Sequence, residues 1–172
     1  MHQNMTDESR PVYATVIDLR EGPPGTLIEF KPFGRDFRFV NRLMEYQEAM
    51  AGANAFIVAE YDFTGEEDWA ESHFVGEPVM PGNLQQECAD QASALMGLLN
   101  PKFAGRGFLL TSKENVRFRG IVEPGDTLVI RSELIRLSGH GGKFGYKTWV
   151  KDSEPKVWAV SADEMTFAFF NS

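Results

Sequence analysis

Asn83-Leu-Gln-Gln-Glu-Cys-Ala-Asp-Gln-Ala-Ser-Ala-Leu-Met-Gly-Leu-Leu-Asn100 carries the longest helical pattern of the chain. Leu84, Cys88, Ala92, Leu95, Met96 and Leu99 recur at helical spacing, and Ala89 and Leu98 widen the apolar surface. Few charges interrupt it, so the helix is expected to be largely buried. Asn83 with Gln86 three residues on gives a capping-box pattern at its start, and Asn100-Pro101 stops it. A helix this apolar needs cover on nearly every side, which a curved sheet supplies.

Working outward, strands follow. Gly107 to Phe118 alternates, placing Phe108, Leu110, Val116 and Phe118 on one side and Lys113, Arg117 and Arg119 on the other. Glu123-Pro-Gly-Asp126 turns into a strand over Thr127 to Leu137, and Ser138-Gly-His-Gly-Gly142 turns into Lys143 to Lys151. Val157 to Phe170 is the last strand. Short turns make these neighbours antiparallel. Upstream, Ala55 to Tyr61 reads as a strand and Asp62 to Ser72 as an acidic loop, while Phe37 to Tyr46 is ambiguous. Residues 1–10 read as a loose tail. Val12 to Leu19 and Thr26 to Phe30, joined by Glu21-Gly-Pro-Pro-Gly25, suggest an N-terminal hairpin extension over 11–31 on a single domain spanning 11–172.

The chain has 172 residues, 42% hydrophobic and 24% charged, which excludes wholesale disorder and suits one domain. The single cysteine, Cys88, excludes an internal disulfide and a Cys-rich metal site. No apolar run reaches the roughly 20 residues of a membrane helix and Met1 to Arg10 lacks a signal-peptide core, so a cytoplasmic location is the expectation. A net charge of -8 argues against a general nucleic-acid binder. The charge is uneven, however. No Lys or Arg occurs from Leu43 to Pro101, and then Lys102, Arg106, Lys113, Arg117 and Arg119 follow. Such a strip either faces solvent or steers an acidic partner.

The chemistry concentrates just before the helix. His73 precedes Phe-Val-Gly-Glu-Pro-Val-Met-Pro-Gly82. Pro78 and Pro81 bracket Val79-Met80 and stiffen the lead-in, where a cis Met80–Pro81 bond is allowed. Gly82 permits close approach to a helix N-terminus, whose unpaired N–H groups suit a developing oxyanion. Glu87 lies one turn on, on the side of Gln91, either among apolar neighbours or facing solvent. A carboxyl among apolar neighbours favours its neutral, proton-donating form. A base, an acid and an oxyanion donor together suit loss of a β-leaving group with removal of a proton α to a carbonyl.

The string His73 to Gly82 resembles the active-site segment of the β-hydroxyacyl-acyl carrier protein dehydratases. Glu87 matches the family's acid fourteen positions after the histidine, and Gln91 its helix glutamine. Asn115-Val-Arg-Phe-Arg-Gly-Ile-Val-Glu-Pro-Gly-Asp126 is similar to the family's strand and turn, and the likeness covers Pro32 to Phe169. Val75, Glu77-Pro78, Glu60-Tyr-Asp62 and Trp69 look more like the dehydratase-isomerase branch, whose acid is Asp rather than Glu, so double-bond isomerisation is left open. The resemblance implies an α+β hotdog fold, a long central helix wrapped by a curved antiparallel sheet. It implies dehydration of 3-hydroxyacyl thioesters to trans-2-enoyl thioesters, in fatty acid, polyketide or polyunsaturated acyl assembly. His73 and Glu87 would be catalytic, Gly82 N–H the oxyanion donor, and Gln91 and Val79 orienting residues. No metal or cofactor is implied beyond the phosphopantetheine that brings the acyl group on acyl carrier protein. Lys102, Arg106, Lys113, Arg117 and Arg119 would dock that carrier. A homodimer is expected, or a heterodimer, with His73 of one chain facing Glu87 of the other. The competing reading is a non-catalytic hotdog subunit that binds carrier or shapes a heterodimer. A hotdog thioesterase would need an activated water instead.

Overall fold

The structure, a computed structural model, describes residues 17–20, 37–100 and 106–171. The elements are β1 (Ile17–Asp18), β2 (Arg42–Gln47), β3 (Phe56–Asp62), α1 (Gly82–Leu99), β4 (Arg106–Glu114), β5 (Arg117–Phe118), β6 (Thr127–Leu137), β7 (Gly141–Val150) and β8 (Trp158–Asn171). A single 3-10 turn, Ala70–Ser72, interrupts the acidic loop. The strands form one antiparallel sheet in the order β1-β2-β3-β6-β7-β8-β4, with β5 also pairing β8. The helix packs across β3, β6, β7, β8 and β4, which is the hotdog arrangement.

The period-2 pattern explains the wrapping. In β6, Leu128 and Ile130 turn to the helix, and in β7 Phe144 and Tyr146 do the same. They meet Cys88, Ala89, Ala92 and Leu95, all fully buried. Small side chains on the helix let it sit close to the sheet. Truncating Leu95 to Ala would therefore open a cavity costing about 2–5 kcal/mol. At one sheet corner Arg42 bonds both Glu60 (2.9 Å) and Asp62 (2.6 and 2.5 Å), Lys151 reaches Glu60 (2.8 Å), and Thr127 donates to Asp62 (2.9 Å). These bonds pin β2, β3, β6 and the end of β7 together.

Several expectations change. The helix begins at Gly82, and its N-cap is Pro81, whose carbonyl accepts from Leu84 and Gln85. Asn83 therefore lies inside the first turn and caps nothing. The Met80–Pro81 bond is trans; cis bonds among the described residues fall at His73–Phe74 and Glu154–Pro155. Phe37 to Tyr46 resolves into an extended lead-in and then β2. Of the proposed N-terminal hairpin the structure describes residues 17–20, where Ile17–Asp18 is a strand paired with β2; 11–16 and 21–31 lie outside the described residues. The tail 1–10, Thr26 to Phe30 and Lys102 lie outside the described residues.

The largest correction concerns the basic strip. A register shift in β4 between Leu110 and Ser112 breaks the alternation. Lys113 consequently pairs in register with the buried Met165 and turns inward, where its ammonium bonds Asp90 at 2.7 Å and Gln86 at 3.1 Å. At 15% side-chain exposure it leaves the docking strip. Arg106 sits at the opposite end of β4, donating to Gly139 O (2.8 Å). Among the described residues of the strip, only Arg117 and Arg119 remain adjacent and exposed, Arg119 bonding Ser161 at 2.6 Å.

Candidate active site

The segment from His73 to Pro81 folds as a closed turn. Phe74 and Glu77 exchange backbone hydrogen bonds of 3.1 Å in both directions, and Gly76 supplies the positive φ of +82° that the turn requires. Val79 N–H donates to His73 O at 2.7 Å, closing the turn, and Met80 N–H donates to Val122 O at 2.8 Å, anchoring it to the strand side. His73 Nδ1 lies 3.0 Å from Val79 O. A carbonyl only accepts, so Nδ1 carries the hydrogen and the neutral ring's Nε2 keeps its lone pair. Val79 thus orients the histidine through both of its backbone groups. The turn's tip is apolar and outward: Phe74 stacks on His73 and is 61% exposed, and Val75 is 88% exposed.

Glu87 and Gln91 stand one turn apart on α1. Gln91 is fully buried and wholly engaged. Its Oε1 accepts from Phe39 N–H (2.8 Å), and its Nε2 donates to Phe37 O (2.9 Å) and to Glu87 Oε1 (2.9 Å). The glutamine is locked by the backbone of the 37–39 lead-in and in turn fixes the carboxyl. Glu87 itself is only partly buried, between the two alternatives its sequence position allowed. Asp90 points away, to Lys113. Among the described residues no hydrogen bond joins His73 to Glu87 within the chain.

Gly82 opens the helix, where N–H groups have no intrahelical acceptor. A methyl group at Gly82 would lie 2.8 Å from the Phe118 ring, so the glycine admits that ring against the helix end. A cleft of about 460 Å³ lies here, lined among others by Val79, Gly82, Gln85, Phe118 and Ile121. It is apolar at the rim, with Ile121 and Phe118 exposed. Arg117 and Arg119, both exposed, flank Phe118 in sequence. The sequence reading missed Gln85, which is buried, donates to Met80 O at 3.1 Å and leaves its own Oε1 without a partner. It also missed the Lys113–Asp90 pair, since the register shift that creates it depends on β8. No group of three or more His, Cys, Asp or Glu among the described residues is placed to hold a metal ion, and no described helix is long and apolar enough to cross a membrane.

A buried helix wrapped by an antiparallel sheet is a hotdog fold, here with an oriented histidine ahead of the helix and a clamped glutamate on it. The chain belongs to the FabA-like domain family, whose model matches residues 32–154. It is 40% identical over 115 residues to the 3-hydroxyacyl-(acyl-carrier-protein) dehydratase FabZ of Moorella thermoacetica, covering 67% of this chain and 76% of that one. Against the FabZ of Caldicellulosiruptor saccharolyticus it is 34% identical over 143 residues, covering 83% and 95%. Among solved structures, the dehydratase heterocomplex ApeI:P from Xenorhabdus doucetiae superposes with a TM-score of 0.65 at 14% identity, covering 82% of this chain and 88% of that one. That last likeness concerns the fold.

Proposed function

We propose that the protein is a lyase that removes water from 3-hydroxyacyl thioesters carried on acyl carrier protein, giving trans-2-enoyl thioesters. The observation that carries this is the pair of oriented groups: His73 presented by Val79 with Nε2 free, and Glu87 held by Gln91. A thioesterase needs no such clamped acid beside a base, and the FabZ relatives named above are dehydratases.

In this reading His73 Nε2 takes a proton from C2 of the substrate. Charge grows on the thioester oxygen, and Gly82 N–H at the positive end of α1 stabilises it. Glu87 gives its proton to the 3-hydroxyl, which leaves as water as the C2–C3 double bond forms. His73 then gives up its proton and Glu87 regains one, by direct transfer or through solvent, which resets the pair. Each catalytic group comes from a different chain of a dimer, and the apolar tip at Phe74 and Val75 is the surface that a second copy covers. The acyl group enters on phosphopantetheine through the cleft at Gly82, with Arg117 and Arg119 meeting the acidic carrier at its border.

The test is to offer the purified protein a 3-hydroxyacyl carrier protein and follow the acyl mass. Loss of one water is expected. A folded protein that leaves the acyl mass unchanged across chain lengths overturns the assignment and favours a silent carrier-binding subunit.

A further inference from the structure

The lining of the cleft at Gly82 is mostly apolar, from Val79, Met80, Phe118 and Ile121. Two amide side chains break that pattern. Asn83 is exposed, but Gln85 is only 3% exposed. Gln85 comes three residues after Gly82, about 60° round the helix, so both meet the same cleft. Glu87, five residues after Gly82, lies about 140° round on the other flank. The Gln85 carboxamide folds back along the first turn, its Nε2 donating to Met80 O at 3.1 Å, and Met80 lines the cleft as well. A carbonyl only accepts, so this bond fixes which end of the amide is nitrogen. The other end, Oε1, is buried with no partner. The cleft thus holds one fixed acceptor, Gln85 Oε1, a turn away from the donor that opens the helix, Gly82 N–H. Positions three apart on a helix stand roughly 5–6 Å from each other.

A buried acceptor without a partner is costly, and in a folded protein it calls for a donor. Turning the amide over brings no relief, because that sets Oε1 against the Met80 carbonyl oxygen. In the dehydratase reading, what enters this cleft is a thioester on pantetheine. Its carbonyl oxygen accepts from Gly82 N–H. The first donor on the arm, an amide N–H, follows two methylenes beyond the sulfur. An acceptor followed at short range by a donor is the complement of Gly82 N–H and Gln85 Oε1. The substrate's other donor, the 3-hydroxyl, lies on the acyl side of the thioester and is engaged by Glu87 in that reading. We propose that Gln85 is a substrate-binding residue whose Oε1 accepts the hydrogen bond of this pantetheine amide, fixing the thioester with its oxygen at Gly82. The proposal rests on the dehydratase reading and adds to it the group that sets how far the arm enters.

The experiment loads acyl carrier protein with one 3-hydroxyacyl group on two arms: natural pantetheine, and an arm in which that single amide N–H is replaced by an ester oxygen. Water loss is followed by mass, and kcat/KM is compared. The wild-type protein is expected to prefer the natural arm about tenfold, the scale of one well-made hydrogen bond. Gln85→Met keeps the length of the side chain and removes the acceptor. It should bring the two arms to equal rates by slowing the natural arm and leaving the ester arm unchanged. A merely structural role would slow both arms alike and keep their ratio at the wild-type value. Gln85→Leu is the second variant, and a thermal melt reports whether each folds; if neither does, the wild-type ratio decides alone. Equal turnover of the two arms by the wild-type protein overturns the proposal. So does a preference for the natural arm that a folded Gln85 variant leaves intact; Oε1 then faces a buried water. If neither arm loses water, the dehydratase reading itself is wrong and the proposal falls with it.

Discussion

Val79 holds His73 twice: its N–H donates to the histidine carbonyl at 2.7 Å, and its carbonyl accepts from the histidine Nδ1 at 3.0 Å. Six residues apart, the two close a turn that aims one ring nitrogen and ties up the other. The hydrogen bonds that hold the imidazole thus come from backbone, and side-chain changes at Val79 should be mild.

Removing the imidazole should not be mild. His73 is only partly buried, so His73→Ala should fold normally. Dehydration should fall by about 10²–10⁴-fold, the usual contribution of a positioned proton-transfer group. Circular dichroism alongside single-turnover assays checks this; near-wild-type water loss by a folded variant removes His73 from the mechanism.

For Glu87, Gln is the informative replacement because it keeps the shape and removes the transferable proton. Water loss should drop sharply, while exchange of the C2 proton for deuterium, which needs only His73 and Gly82, should survive better. Equal loss of both reactions would make Glu87 a positioning residue. Glu87→Asp should keep partial activity. Gln91→Leu strips partners from Phe39 N–H and Phe37 O as well as from Glu87. It should therefore cost about 1–3 kcal/mol of stability for the buried Phe39 N–H left unpaired, in addition to activity.

Much of this site was legible in sequence because it rests on local rules. Helical spacing put Glu87 and Gln91 on one face, and they do bond. Thr127 to Leu137 is a strand over the span that its flanking turns gave. What failed depends on distant partners or on geometry that side-chain patterns do not encode. Asn83 had the right chemistry for a cap, but Pro81, already extended and offering its carbonyl, took the position. Lys113 alternated with its apolar neighbours as a solvent-facing residue should, yet a register shift against β8 turned it inward. No pattern within Gly107 to Phe118 signals that shift.

The Arg42–Asp62 contact predicts an acid-side weakness. The Arg42 guanidinium holds the Asp62 carboxyl below its ordinary value of 3.8, against the opposing effect of burial and with help from Thr127. In the unfolded chain Asp62 takes up its proton first as pH falls, so the stabilisation is complete above 3.8 and is lost as pH falls through the lower folded value. Asp62→Asn should lower stability by about 1–3 kcal/mol near neutral pH, as expected for hydrogen bonds to a charged group. The gap from wild type should close in strong acid. Urea midpoints across the acid range test it, and a gap that stays constant with pH would assign the loss to shape rather than charge.

The last prediction concerns what remains of the basic strip. In the carrier-docking reading, with Lys113 turned inward and Arg106 at the far end of β4, the described members of the strip that stay exposed are Arg117 and Arg119, either side of Phe118 in sequence. Phe118 lines the cleft and Arg117 and Arg119 are its sequence neighbours, so the reading to be tested is that a carrier held by them delivers its pantetheine arm to the cleft. Both arginines are exposed, and exposed charges act mainly on encounter and weaken with salt. Arg117→Glu should therefore cut kcat/KM for a carrier-linked substrate several-fold at low salt, mostly through KM, and the deficit should shrink as salt rises. The same acyl group on free pantetheine bypasses docking, so the ratio of the two substrates isolates the effect. Lys113→Met should not copy this salt-dependent pattern, because its ammonium is committed to Asp90. If Arg117→Glu changes neither the ratio nor its salt dependence, the carrier approaches from another face, and the cleft border is not its landing site.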